Sequence, residues 1–128
     1  MGALTVERLP AVHPDVRELE RAAGPEDAGE AALDEVTSPA FVVRDRHGRV
    51  VAAAGYGTWP GGVAHVGVLT APRARGRGLA RAAGSAAVAH ALGAGLLPQW
   101  RARTPASRRV AAGLGFGGLG FQLSVELA

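Results

Sequence analysis

Residues 66–80 read Val-Gly-Val-Leu-Thr-Ala-Pro-Arg-Ala-Arg-Gly-Arg-Gly-Leu-Ala, an apolar strand that runs into an Arg/Gly loop and then opens an alanine-rich helix. Gly76 and Gly78 allow positive φ and a close backbone approach to a ligand. The first turn of the following helix leaves amide donors without intrahelical partners, and the positive end of the helix dipole favours an anion there. Arg73, Arg75 and Arg77 are expected to put three guanidinium groups around the same point, and their planar forks match phosphate oxygens. A left-handed turn with solvated arginines would use the same residues; the flanking strand and helix favour the phosphate site.

Spacing excludes two other phosphate loops. A Walker loop requires a Gly-Lys-Ser/Thr ending, and the chain contains no lysine. A dinucleotide fingerprint would need a third glycine where Arg81 stands, and an acidic residue near position 98, where none occurs.

The remaining pattern, Arg73-x-x-Gly76-x-Gly78-x-Ala80, resembles the pyrophosphate motif of the GNAT superfamily of N-acetyltransferases, Gln/Arg-x-x-Gly-x-Gly/Ala. Residues 107–116, Ser-Arg-Arg-Val-Ala-Ala-Gly-Leu-Gly-Phe, resemble the late helix of the same family, with Thr104 in place of its Asn, Val110 of its Leu and Ala111 of its Tyr. The two motifs stand in the family's order and separation. The first forty residues match in the order of elements.

With 128 residues the chain is expected to form a single domain over residues 1–128 with one modest core. It has no cysteine, which excludes disulfides, thiolate metal sites and a cysteine nucleophile; no metal site is expected. No signal-like or membrane-spanning stretch is evident, so a cytoplasmic protein without membrane contact is the default. Residues 1–45 carry ten acidic groups and four arginines, a balance of −6, whereas residues 46–128 carry ten arginines and one acid, a balance of +9. The arginines gather around the loop and around 101–109 instead of forming a stripe with interleaved aromatics. That distribution argues against nucleic acid and for a small polyphosphate-bearing ligand.

The coarse reading is an α/β (α+β) domain. Residues 4–9 form a short strand, Pro14 and Asp15 start a helix with Val16, Leu19 and Ala23 on one face, and residues 26–36 form a second helix. Strands over 41–44 and 50–56 flank the Asp45-Arg46-His47-Gly48 turn, and 63–69 completes an antiparallel meander. A helix over 78–92 crosses to a parallel strand over 96–103, where Pro98 requires an edge or an irregularity. A short helix over 105–113 and a terminal strand over 121–127 follow. The resemblance implies the same mixed central sheet flanked by helices, with a splay between the two parallel strands.

The resemblance further implies acetyl-CoA or another acyl-CoA as cofactor and an amine of a small molecule or peptide as acceptor. Pyrophosphate would lie on the amides from Arg75 through Gly76, Arg77, Gly78 and Leu79 to Ala80. Val68 and Leu69 would pair with the pantetheine arm, the Leu69 amide would polarise the thioester carbonyl, and Ser107 would contact the cofactor. His65 is the best base available, since its ordinary pKa lies near neutrality; a structural strand histidine is the competing reading. Tyr56 would serve as acid or substrate contact, or as packing. Trp100 and Arg101, with Arg103, would line the acceptor pocket or else belong to core and surface; taken functionally they favour a neutral or acid-bearing amine. His90 reads as solvated, or as favoured by its helix dipole. An acyl-CoA-dependent N-acyltransferase is the leading reading. A degenerate acyl-CoA-binding module and another phosphate-ligand binder compete with it, and a homodimer through the terminal strand stays open.

Overall fold

The computed structural model describes residues 5–101 and 122–124. The expected helix over 105–113, Ser107, Arg103 and the glycine-rich stretch before the last strand lie outside the described residues.

Helix α1 (Pro14–Ala23) begins as its sequence dictates. His13 Nδ1 accepts from the Asp15 amide at 3.0 Å, Pro14 supplies a first-turn residue without an orphan N–H, and Asp15 complements the helix dipole. Val16 and Leu19 are buried against the sheet, each worth about 2 kcal/mol of transfer free energy. Gly24, at φ +93°, ends α1 and leads directly into α2 (Pro25–Ala31).

The second helix is shorter than the sequence suggests. Instead of continuing to residue 36 it stops at Ala31, because Ala32 takes a left-handed conformation (φ +52°) and its N–H caps the Ala28 carbonyl. A single 3-10 turn, Leu33–Glu35, follows and buries Leu33. The turn and the next residues then lie flat on the sheet, where the Thr37 and Ser38 amides both donate to the Tyr56 carbonyl. Tertiary packing outweighs the local helix preference.

The sheet has six described strands in sequential order: β1 (Glu7–Leu9), β2 (Ala40–Arg44), β3 (Val50–Trp59), β4 (Val63–Thr70), β5 (Leu97–Arg101) and β6 (Gln122–Ser124). β1 to β4 pair antiparallel, and β4–β5 and β5–β6 pair parallel. β3 extends further than expected, through Trp59, which pairs with Val63 across a three-residue turn. The crossover between the parallel strands is α3 (Leu79–Gly93). Leu79, Ala83, Ala87 and Ala91 form its buried ridge at four-residue spacing, and their small side chains bring the helix close to the sheet.

Pro98 is fully buried and pairs with Ala64. Leu97 N–H donates to Gly62 C=O at 2.8 Å, so the neighbouring Pro98 nitrogen turns toward β6. The β5–β6 ladder starts only at Gln99. The missing donor therefore falls where no ladder bond is required, the irregularity that a proline in this strand demands.

The two helical layers lie on opposite faces. A Cβ at Gly67 would sit 1.9 Å from the Ala31 carbonyl oxygen, so α2 presses directly on β4 there. The next residue pair along the ladder, Tyr56 and Val66, faces the other way, and the Tyr56 hydroxyl reaches His90 of α3.

Candidate functional site

The loop after β4 is built from local sequence. Pro72–Ala74 forms a 3-10 turn, Arg75 is extended, and Gly76 and Gly78 are left-handed at φ +81° and +74°. Gly78 is the N-cap of α3 and offers no side-chain cap, so the first-turn amides stay available to a ligand. Nothing lies within 4 Å of the positions that a Cβ would occupy on Gly76 and Gly78. An open concave backbone, free donors and guanidinium groups together suit a pyrophosphate.

The three arginines do not converge as the sequence suggests. Arg75 forms an ion pair with Asp27 of α2. Arg73 and Arg77 instead line a cleft of about 720 Å³ with Ala74 and Leu79, facing Arg44, Asp45, Arg46 and His47 of the β2–β3 turn. Arg73 Nη2 lies 3.9 Å from the Asp45 carboxylate. Burial pushes the Asp45 carboxyl pKa up, but amide donation from Arg49 and His47 and the charges of His47 and Arg73 outweigh it, leaving the pKa below its ordinary value. The β2–β3 turn had no sequence signal beyond its turn composition, because only the meander brings it beside the loop.

The second part of the site is the edge of β4. Its ladder to β5 runs from Val63/Leu97 to Val66/Trp100, and Gly67–Thr70 continue along β3 without a β5 partner among the described residues. The expected splay between the parallel strands turns on residues after Arg101 and lies outside the described residues. Ala71 N–H donates to Val51 C=O at 2.8 Å, and antiparallel residue pairs alternate between bonded and non-bonded. The Leu69/Ala53 pair is thus a bonded one, and the Leu69 amide faces β3. The backbones of Val68 and Thr70 face away from β3, toward the β5 side. Leu69 therefore cannot serve as the donor assigned to it from sequence; its side chain is core and its amide belongs to the sheet.

His65, Tyr56 and Trp100 separate by face. His65 stands opposite Gly57 and Gln99, on the face that α2 covers, and its ring stacks on Trp59 at 4.2 Å. The Glu35 carbonyl oxygen would lie 3.4 Å from a Cβ on Gly57, so the backbone of the 3-10 turn packs on the sheet face that His65 shares; Asp34 and Glu35 of that turn are exposed. Tyr56 and Trp100 are both buried on the α3 side. The Tyr56 hydroxyl is 2.7 Å from His90 Nδ1, the His90 ring lies 5.3 Å from that of Phe41, and burial raises the phenol pKa. His90 is a partly buried partner of Tyr56, not a solvated residue. Tyr56 and Trp100 thus pack the α3 layer and share no surface with His65. Arg101 closes β5 opposite Ser124.

The site thus lies where a mixed sheet passes from antiparallel to parallel pairing at β4 and runs into a glycine loop at a helix N-terminus. The sequence model of the GNAT acetyltransferase family matches residues 40–119. The chain belongs to that family.

No curated protein sequence gives a match. Among solved structures, a GCN5-related N-acetyltransferase-like protein from Streptococcus suis is 21% identical with a TM-score of 0.65, covering 89% of this chain and 46% of the other. The chain thus spans about half the length of that relative. A GNAT family acetyltransferase from Brucella melitensis, solved with acetyl-CoA, is 16% identical with a TM-score of 0.61, covering 84% of this chain and 80% of the other. An aminoglycoside N-acetyltransferase in complex with CoA is 18% identical with a TM-score of 0.63, covering 98% of this chain and 92% of the other. At these identities the likeness is one of fold. Among the described residues no helix is long and apolar enough to cross a membrane, and no group of three or more metal-ligating side chains occurs.

Proposed function

We propose that the chain is an acyl-CoA-dependent N-acyltransferase that moves an acetyl group to an amine by direct attack. The observation that carries this reading is the open glycine loop at the uncapped N-terminus of α3, entered directly from β4. Its support is the family membership and the fold shared with proteins solved in complex with acetyl-CoA or CoA.

When bound, the cofactor supplies an activated thioester. The amides from Arg75 to Ala80 hold its pyrophosphate, with Arg73 and Arg77 adding charge. Val68 and Thr70 offer their backbone to the pantetheine amides as an added strand would. The amide donor to the thioester oxygen passes from Leu69 to one of these two groups. Ser107 keeps its proposed contact with the cofactor. His65 accepts the amine proton, and the 3-10 turn packed on the same sheet face carries two exposed acids, Asp34 and Glu35. The acids on that face favour a cationic amine over the neutral or acid-bearing one expected from Arg101 and Arg103.

One observation favours a second reading, acyl-CoA binding without turnover. Tyr56 is the chain's one tyrosine, and it is buried against His90. No tyrosine is left to protonate a departing thiolate, and the late-helix position carries Ala111. Release of free CoA thiol, followed across an amine panel that includes spermidine and amino-acid amides, separates the two. Turnover with spermidine fastest supports the transferase; acetyl-CoA stabilisation with no thiol release on any amine supports the binding module.

A further inference from the structure

The β2–β3 turn holds more positive charge than its own fold uses. Asp45 fixes the turn, accepting from the amides of His47 at 2.8 Å and Arg49 at 3.0 Å through Oδ1, while its backbone pairs with Arg49 and Gly48. Arg44 is committed to the fold, with Glu7 at 2.8 Å, Asp15 at 2.9 Å and the Gly48 carbonyl at 2.7 Å. Burdened by none of these bonds, Arg46 stands exposed with its Nε 3.4 Å from His47 Nε2. Across the cleft, Arg77 is also exposed, and neither Arg46 nor Arg77 has a carboxylate partner among the described residues.

The cleft of about 720 Å³ between these walls falls within the range of small-ligand sites. One wall is the glycine loop itself, so the cleft walled by Arg46 and His47 is within reach of a molecule whose pyrophosphate lies on that loop. A second phosphate there would meet a guanidinium fork from each wall, which is the arrangement that recognises a phosphomonoester.

We propose that the β2–β3 turn, through Arg46 and His47 with Arg77 opposite, binds the phosphomonoester on the ribose of the CoA nucleotide and so selects CoA over its dephosphorylated form. This rests on the acyl-CoA reading above. Arg73 is shared between the two phosphate positions, and Asp45 holds it toward the cleft before a ligand arrives.

The test is calorimetric titration of the full chain with CoA, dephospho-CoA, adenosine 3′,5′-bisphosphate and inorganic phosphate. The wild type should bind CoA about tenfold more tightly than dephospho-CoA, as expected for one charge-assisted phosphate contact set. The double variant Arg46→Ala/His47→Ala should lose that preference while its dephospho-CoA affinity stays within about twofold. Both side chains are exposed, and an unchanged melting temperature verifies that the turn still folds. Adenosine 3′,5′-bisphosphate should displace CoA from the wild type at lower concentration than inorganic phosphate does. Equal wild-type affinity for CoA and dephospho-CoA, or an equal loss of both in the variant, overturns the turn's role and leaves the acyl-CoA reading intact. Failure of the wild type to bind either one overturns that reading and this inference with it.

Discussion

The glycine-loop end of the sheet and the His65 end are built by different means. At the loop, Gly76, Gly78 and the α3 N-terminus offer backbone donors whose placement follows from a few consecutive residues. At His65, the surface is assembled from Trp59 of β3, the backbone of the 3-10 turn over Gly57, and Gln99 of β5, which meet only through tertiary packing. A site that holds a ligand by its backbone survives wide change in side chains. A site that moves protons depends on which side chains the fold happens to bring together, and here the one tyrosine faces the wrong way for it.

The comparison breaks most severely at Gly67, which belongs to both ends. Gly67→Ala forces a Cβ into the Ala31 carbonyl and should destabilise the fold by roughly 3 kcal/mol, read from urea unfolding. Next in size is Gly78→Val, which places a β-branched residue at φ +74° over the phosphate cradle. Its acetyl-CoA affinity should fall by about 100-fold, measured by titration, while the His65 end keeps its structure.

Tyr56→Phe sharpens the contrast. It removes the bond to His90 and should cost about 1 kcal/mol of stability, yet leave the rate of thiol release unchanged, because that hydroxyl lies on the α3 face. A lost rate with an intact fold would return Tyr56 to the chemistry.

The smallest effect belongs to Asp45. Its folded pKa is depressed, so its contribution to stability is present above its unfolded value of 3.8 and is lost as the pH falls through the lower folded value. Asp45→Asn should flatten the stability profile in that acidic window and leave it unchanged at neutral pH in slope. Chemical unfolding at a series of pH values between 2 and 5 reads this directly.

What could be read from the sequence follows the same division. The meander, the crossover helix and the parallel return strand were legible, because alternation, glycine turns and the alanine-rich helix are local signals. The glycine loop's conformation, left-handed at Gly76 and Gly78 ahead of a helix, was legible for the same reason. The early end of α2 was not, since nothing at Ala32 announces a left-handed residue and only the sheet beneath it rewards the turn. The facing of the Leu69 amide was equally hidden: it depends on ladder phase, set by Ala71 with Val51 and by Leu97 with Gly62. Arg75 turning to Asp27, and Arg46 and His47 arriving beside Arg77, required contacts between segments some 30 to 50 positions apart.

Hydrogen exchange resolved at single amides, with and without acetyl-CoA, tests the central claim most directly. Binding should slow exchange at Val68 and Thr70 and across Gly76 to Ala80, and leave Leu69, already bonded to β3, unchanged. Protection confined to Leu69, or none along the β4 edge and the loop despite saturating acetyl-CoA, would contradict the account.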